Sequence, residues 1–182
     1  METATLEGVT QYLSFGIAEE VYAVEIVRVK EVLDYLPPTK VPHTPDYLKG
    51  IINLRGSVVP VIDMRCKLGL GESARTMDTC IIIAEAFMDG TSSVFGAVAD
   101  SVYEVFDMES ADREEMPRMG NNIKVDVIKG VGKRDERFVL ILDIDLLLSA
   151  SEMSSLSELS ENASASMVGQ TGGVVIEGML QE

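Results

Sequence analysis

The sequence predicts an all-β protein: two homologous lobes packed together, each a small barrel of about five short strands, with a short C-terminal helix. Three observations carry this reading. Apolar residues alternate with polar ones over short runs separated by turn residues, the period of half-buried strands. Two blocks of the first half recur in the same order in the second half. Helical spacing dominates only late in the 182-residue chain, in Leu146, Leu147, Met153, Leu156 and Leu159.

The elements follow in order. In Gln11–Ile17, Leu13, Phe15 and Ile17 alternate with polar or small neighbours, and Ala18-Glu19-Glu20 turns the chain into Val21–Val24. Ile26, Val29, Val32 and Leu33 have a helix-like spacing, but β-branched side chains favour a short turn running into a strand. Gly50 and Gly56 bracket the next strand, and Gly56-Ser57 leads tightly into Ser57–Asp63. Pro60 has no N–H for a ladder, which predicts an edge strand or a bulge at that point.

The sequence then starts again. Val21–Asp34 and Val94–Asp107, 73 residues apart, share Val21/Val94, Val29/Val102, Glu31/Glu104, Val32/Val105 and Asp34/Asp107. Lys49–Met64 and Lys129–Ile144, 80 residues apart, share Lys49/Lys129, Gly50/Gly130, Val59/Val139 and Asp63/Asp143. Lobe 1 is therefore placed at about 10–70 and lobe 2 at about 76–148, joined by Gly69-Leu70-Gly71-Glu72-Ser73. If the duplication is real, Val29 lies over Val102 and Gly50 over Gly130. Barrels of roughly 60 residues are marginal alone, so the lobes should share an apolar interface. Beyond the helix, residues 163–182 mix Gly, Ser, Thr and small apolar groups and predict a mobile tail.

Composition narrows the function. A net charge of -15 repels phosphate backbones and anionic lipid, which argues against nucleic acid or a membrane surface as partner. The apolar runs Cys80–Ala84 and Phe138–Leu142 are far below the ~20 residues of a membrane helix, and METATLEGVTQ has no signal-peptide pattern. One histidine and two widely spaced cysteines do not make a zinc site, and no cofactor is expected. Cys66 and Cys80 are expected as free thiols of a reducing compartment. His43, between Pro42 and Pro45, reads as a surface-loop residue rather than a base, since no nucleophile motif accompanies it. Asp143 and Asp145 read as a solvated strand end rather than a cation site. Gly69/Gly71 and Gly130/Gly132 read as turn residues, and Asp107–Glu115 and Asn121-Asn122 as loops.

Glu31 and Arg55 stand out in lobe 1. Arg55 follows Asn53-Leu54 between two glycines, where a guanidinium can present a planar fork of donors. Two readings of the pair stand: an ordinary surface ion pair, or one that orients a binding surface.

At this point the sequence resembles a known family. Gln11-Tyr-Leu-Ser-Phe, VYAVEIVRVKEVL from Val21, Val41-Pro-His-Thr-Pro and KGIINLRGSVVPVIDMR from Lys49 are similar to the bacterial chemotaxis coupling family, CheW. FGAVADSV from Phe95 and VLILDIDLLL from Val139 fit it too. The resemblance covers about 10–155; residues 156–182 are the helix end and tail. It implies two SH3-like five-stranded barrels and a non-enzymatic adaptor. Such an adaptor couples the cytoplasmic tips of chemoreceptors (methyl-accepting chemotaxis proteins) to the regulatory domain of the histidine kinase CheA. It is cytoplasmic and recruited to membrane-associated receptor arrays without inserting into the membrane. With no kinase core, receiver or phosphotransfer pattern, this chain matches the stand-alone adaptor. The resemblance places receptor binding near Val29, Glu31, Gly50 and Arg55, and kinase binding near Leu13, Ile26 and Val29. Deleting 163–182 is expected to leave folding and kinase coupling near normal. The alternatives are the same role in a non-flagellar chemosensory pathway and, remotely, a small ligand-binding or hydrolytic barrel.

Overall fold

Four two-residue turns set the strand pairing of this chain, seen in a computed structural model that describes residues 8–71, 74–115 and 127–162. Asn121-Asn122, Glu72-Ser73 of the linker and the 163–182 tail lie outside the described residues. Ala18-Glu19, Arg55-Gly56, Asp89-Gly90 and Asp135-Glu136 all take positive φ at both positions, the conformation whose twist matches that of a hairpin. They join β1 (Val9–Ile17) to β2 (Glu20–Glu25), β4 (Leu48–Leu54) to β5 (Ser57–Asp63), β6 (Cys80–Met88) to β7 (Thr91–Ala99), and β10 (Ile128–Arg134) to β11 (Arg137–Leu142). A 3₁₀ turn at Ile26–Arg28 leads into β3 (Val29–Asp34), the short turn running into a strand that the β-branched residues predict. β8 (Ser101–Glu109) follows β7, and β9 (Arg113–Glu114) follows a 3₁₀ turn at Ser110–Asp112. The helices are α1 (Met64–Lys67) and α2 (150–162).

The strands form two sheets, ordered β8-β1-β2-β11-β10-β9 and β3-β6-β7-β5-β4. The duplication is written in their registers. Val29 stands opposite Ala84 and Val102 opposite Phe15; Gly50 faces Val61 and Gly130 faces Ile141. The one parallel pairing in each sheet also corresponds, Val61 with Gly96 in one and Ile141 with Ala23 in the other. Even the register shifts recur, between Leu48 and Gly50 and between Ile128 and Gly130.

The sheets are nevertheless not the two sequence halves. The β1–β2 hairpin belongs to the sheet of β8, β9, β10 and β11, while the β6–β7 hairpin belongs to the sheet of β3, β4 and β5. The six-stranded sheet thus takes a hairpin from one repeat and four strands from the other, and the five-stranded sheet a hairpin from one and three strands from the other. The stretches 10–70 and 76–148 are units of sequence repetition, and neither holds a whole sheet. The 3₁₀ turn after β2 carries the chain from one sheet to the other, as does the β7–β8 junction at Asp100.

Alternation places the core. Tyr12, Ala23, Phe106 and Ile141 fill one sheet's interior, and Ile52, Val61, Ile81 and Ile83 the other's. The intervening residues, among them Phe15, Ile17, Ile62, Ile82 and Phe95, form one larger cluster between the sheets, the shared apolar interface that small barrels require. Met153 and Leu156 bind α2 to that cluster. Cys66 and Cys80 are free, and burial, with Asp100, Asp34 and Asp78 nearby, pushes the Cys80 thiol up to about 11.

Three local expectations are corrected. Gly130 and Gly132 are not turn residues but stand inside β10, opposite Ile141 and Val139. β5 is an inner strand between β4 and β7, so Pro60 marks no edge; it stands opposite Ile51, one residue before the pairing with β7 begins at Val61. Its missing N–H falls outside that paired run, and the nearest register shift lies on β4. The acidic run Asp107–Glu115 is no simple loop. Asp107–Glu109 end β8 against Val9–Gln11, and Arg113–Glu114 pair with Val131 and Gly132. Phe106 and Met108 point inward between the exposed carboxylates of Asp107 and Glu109, a period-two pattern masked by the charge.

Candidate functional site

The β4–β5 turn and the edge strand β3 build the site. Arg55 occupies the first turn position, with φ 51, and Gly56 the second, with φ 87. The Asn53 side-chain oxygen accepts from the Gly56 N–H at 2.8 Å and fixes the turn. The Arg55 side chain therefore stands off the sheet, 74% exposed. Its two terminal nitrogens donate to the two Glu31 oxygens at 2.5 and 3.0 Å, the fork-to-fork geometry of a bidentate pair. The Arg55 hydrogen bond holds the Glu31 carboxyl below its ordinary range, and Glu31 in turn raises the guanidinium. Both groups stay ionised at neutral pH. In solvent the pair adds little stability; what it adds is a fixed orientation for an arginine that still has donors to offer.

The structure brings Glu31 and Arg55 together as the paired segments imply. Val29 and Ile26 lie half-buried beside them in sequence, packed against the central cluster. Leu13 is 5% exposed and belongs to that cluster, so its side chain serves packing first. Gly50 is buried with φ 143, and a Cβ built there would stand 2.1 Å from the Thr39 carbonyl oxygen. Gly50 therefore lets the Thr39 backbone pack closely on the start of β4, at the end of the strand away from the turn, and presents no surface of its own. His43 sits in an exposed loop, and the described residues contain no group of three His, Cys, Asp or Glu able to hold a metal.

Two arrangements escaped the sequence. Glu104 and Arg134 form a second charged pair at 2.5 Å in the other repeat, Glu104 matching Glu31 and Arg134 standing one residue before the equivalent of Arg55. The Glu31/Glu104 identity pointed to it; Arg134 was hidden because it precedes its turn, whereas Arg55 lies within one. Asp145 is no solvated strand end: it takes both terminal nitrogens of Arg28 at 2.7 Å and the Phe87 N–H at 2.7 Å. Asp100 similarly accepts from Ala18 N–H at 2.9 Å and from Arg65 at 3.5 Å. Both crossings between the sheets are thus tied through an aspartate: Asp145 holds the 3₁₀ turn after β2 through Arg28, and Asp100, at the β7–β8 junction, holds the β1–β2 turn.

A β scaffold that fixes a solvent-facing charged pair on a hairpin tip has the form of a binding module. The CheW-like domain model matches residues 11–152, and the chain belongs to that family. It is 33% identical to the chemotaxis protein CheW of Bacillus subtilis, over 80% of this chain and 91% of that one. It is 31% identical to that of Helicobacter pylori, over 78% and 83%. The crystal structure of the scaffolding protein TtCheW from Thermoanaerobacter tengcongensis matches with a TM-score of 0.69 and 32% identity, over 79% of this chain and 90% of that one. The chain is a coupling adaptor of chemotaxis signalling.

Proposed function

We propose that this adaptor bridges the cytoplasmic tip of a chemoreceptor and the regulatory domain of the histidine kinase CheA, without catalysing a reaction of its own. The observation that carries the reading is the Glu31–Arg55 pair, bidentate, exposed and held on a turn whose geometry leaves it no packing role. Receptor contact is assigned to Arg55, Glu31 and the adjoining Val29, with Gly50 shaping the other end of β4. Kinase contact is assigned to the half-buried Ile26 and Val29, with Leu13 supporting them from the core. Interfaces of this kind draw most of their energy from a few anchors, among which arginine is enriched. Many weak contacts then add up when adaptors are arrayed. No helix of the described residues is long and apolar enough to cross a membrane, which fits recruitment to receptor arrays from the cytoplasm.

The test is reconstitution of kinase autophosphorylation with receptor membranes, the kinase and this chain. Arg55→Ala is expected to lose most of the receptor-dependent activation while melting like the parent. A variant that melts normally and still activates the kinase fully removes Arg55 from the coupling surface.

A further inference from the structure

A cavity of about 540 Å³ opens between the Glu31–Arg55 pair and α2. Its wall and floor include Leu54, Val58 and Met153; Lys30 and Arg55 stand at its rim, both substantially exposed. The end of α2 forms the other wall: Ser160 donates to the Val58 carbonyl at 2.6 Å, Ser157 meets Ser93 at 2.8 Å, and Glu161 lines the opening. The described residues therefore end at the mouth of this cleft. Twenty further residues follow from 163 to 182. Most are small or polar, but Val174-Val175-Ile176 and Met179-Leu180 make a compact apolar segment around Glu177. No Lys or Arg occurs after Arg137, and the rim is charge-balanced, Arg55 being paired with Glu31, Lys30 lying 3.6 Å from Glu85 and Glu161 lining the mouth, so the segment's match to the cleft is apolar rather than ionic.

We propose that the cleft is the docking site of the chain's own segment 174–180, and that the docked tail and a receptor at Arg55 exclude one another. The second half of this statement rests on the receptor contact proposed above. The tether makes docking undemanding. About a dozen residues separate Glu161 from Val174, and a tether of that length gives an effective concentration on the order of 1 mM. A segment that binds with a Kd of ~0.1 mM as a free peptide is then docked about nine-tenths of the time. This reverses the expectation that the tail is dispensable for coupling.

The experiment uses a chain ending at residue 163 and a synthetic peptide of residues 170–182. Amide NMR spectra of the truncated chain are recorded as peptide is added. Shifts are expected at Lys30, Leu54, Val58 and Ser157, moving toward the spectrum of the full chain, with an Ile176→Asp peptide at least tenfold weaker. No binding at millimolar peptide, shifts confined to another face, or equal binding of the Ile176→Asp peptide would each overturn the docking. Separately, a soluble receptor-tip fragment is titrated into both chains. The truncated chain is expected to bind it about five- to tenfold more tightly; equal affinity overturns the exclusion while leaving the receptor contact standing. A fragment that binds neither chain overturns the receptor contact and the exclusion with it, and the peptide titration then decides the docking alone.

Discussion

At the scale of single residues, Gly50 and its repeat partner Gly130 separate two demands on a glycine. At Gly50 the φ of 143 and the Thr39 carbonyl oxygen, 2.1 Å from a built Cβ, both exclude a side chain, and the obstacle is backbone. At Gly130 there is no positive φ, and the nearest obstacle, at 2.9 Å, is side chain rather than backbone, the Arg113 Cγ, with the Glu114 carbonyl next at 3.1 Å. Gly50→Ala is therefore expected to lose about 1–3 kcal/mol to backbone strain alone, and to melt well below Gly130→Ala. Thermal melts of the two variants side by side check the order. Arg55 was legible because its flanking glycines announced a turn that displays it. The Arg28–Asp145 pair was not, because its members are 117 residues apart and meet only through the exchange of hairpins between sheets.

At the scale of elements, α2 is held by more than its apolar face. Glu152 caps the helix start through Ser149 N–H at 2.8 Å and binds Lys67 of α1 at 2.7 Å, while the Lys67 ammonium lies over the Tyr47 ring. Burial alone would raise the Glu152 carboxyl, but hydrogen bonds from Lys67, Ser149 and Tyr47 outweigh it and hold the group at about 2. Burial, and then Glu152, push the Tyr47 hydroxyl up to about 12. The lowered acid contributes stability that is present above its ordinary value of 4.5 and lost as pH falls toward about 2. Glu152→Gln is accordingly expected to melt lower than the parent at neutral pH and to lose less stability between pH 4.5 and 2; parallel acid-unfolding curves would defeat this account. The raised tyrosine works at the other end, its contribution falling as pH rises from 10 toward 12. The helix was legible in sequence from Met153, Leu156 and Leu159. The glutamate–lysine–tyrosine cluster was not, because its three residues come from separate elements with no shared period.

At the scale of the whole molecule, the exchange of hairpins decides how the chain folds. Alternation and repetition in the sequence revealed the strands, the duplication and the shared core, since these depend on local period and on counting. They could not reveal which hairpin joins which sheet, because both hairpins have the same apolar faces and similar turns. In the structure, Tyr12 and Ala23 complete an interior whose other members, Phe106, Met108, Val139 and Ile141, come from the second repeat. Ile81 and Ile83 do the same for Ile52, Val59 and Val61 of the first. Each half alone would leave one hairpin without a sheet and the remaining three or four strands without a closing pair, with edges and apolar faces open to water. Fragments 8–71 and 74–162 are therefore expected to show little amide protection when produced separately. When mixed they should recover the protection pattern of the whole chain. The intact chain should unfold in one transition, with calorimetric and van't Hoff enthalpies in agreement. Two independent transitions, or a fragment that protects its strands alone, would mean that the sequence repeats and not the mixed sheets are the folding units.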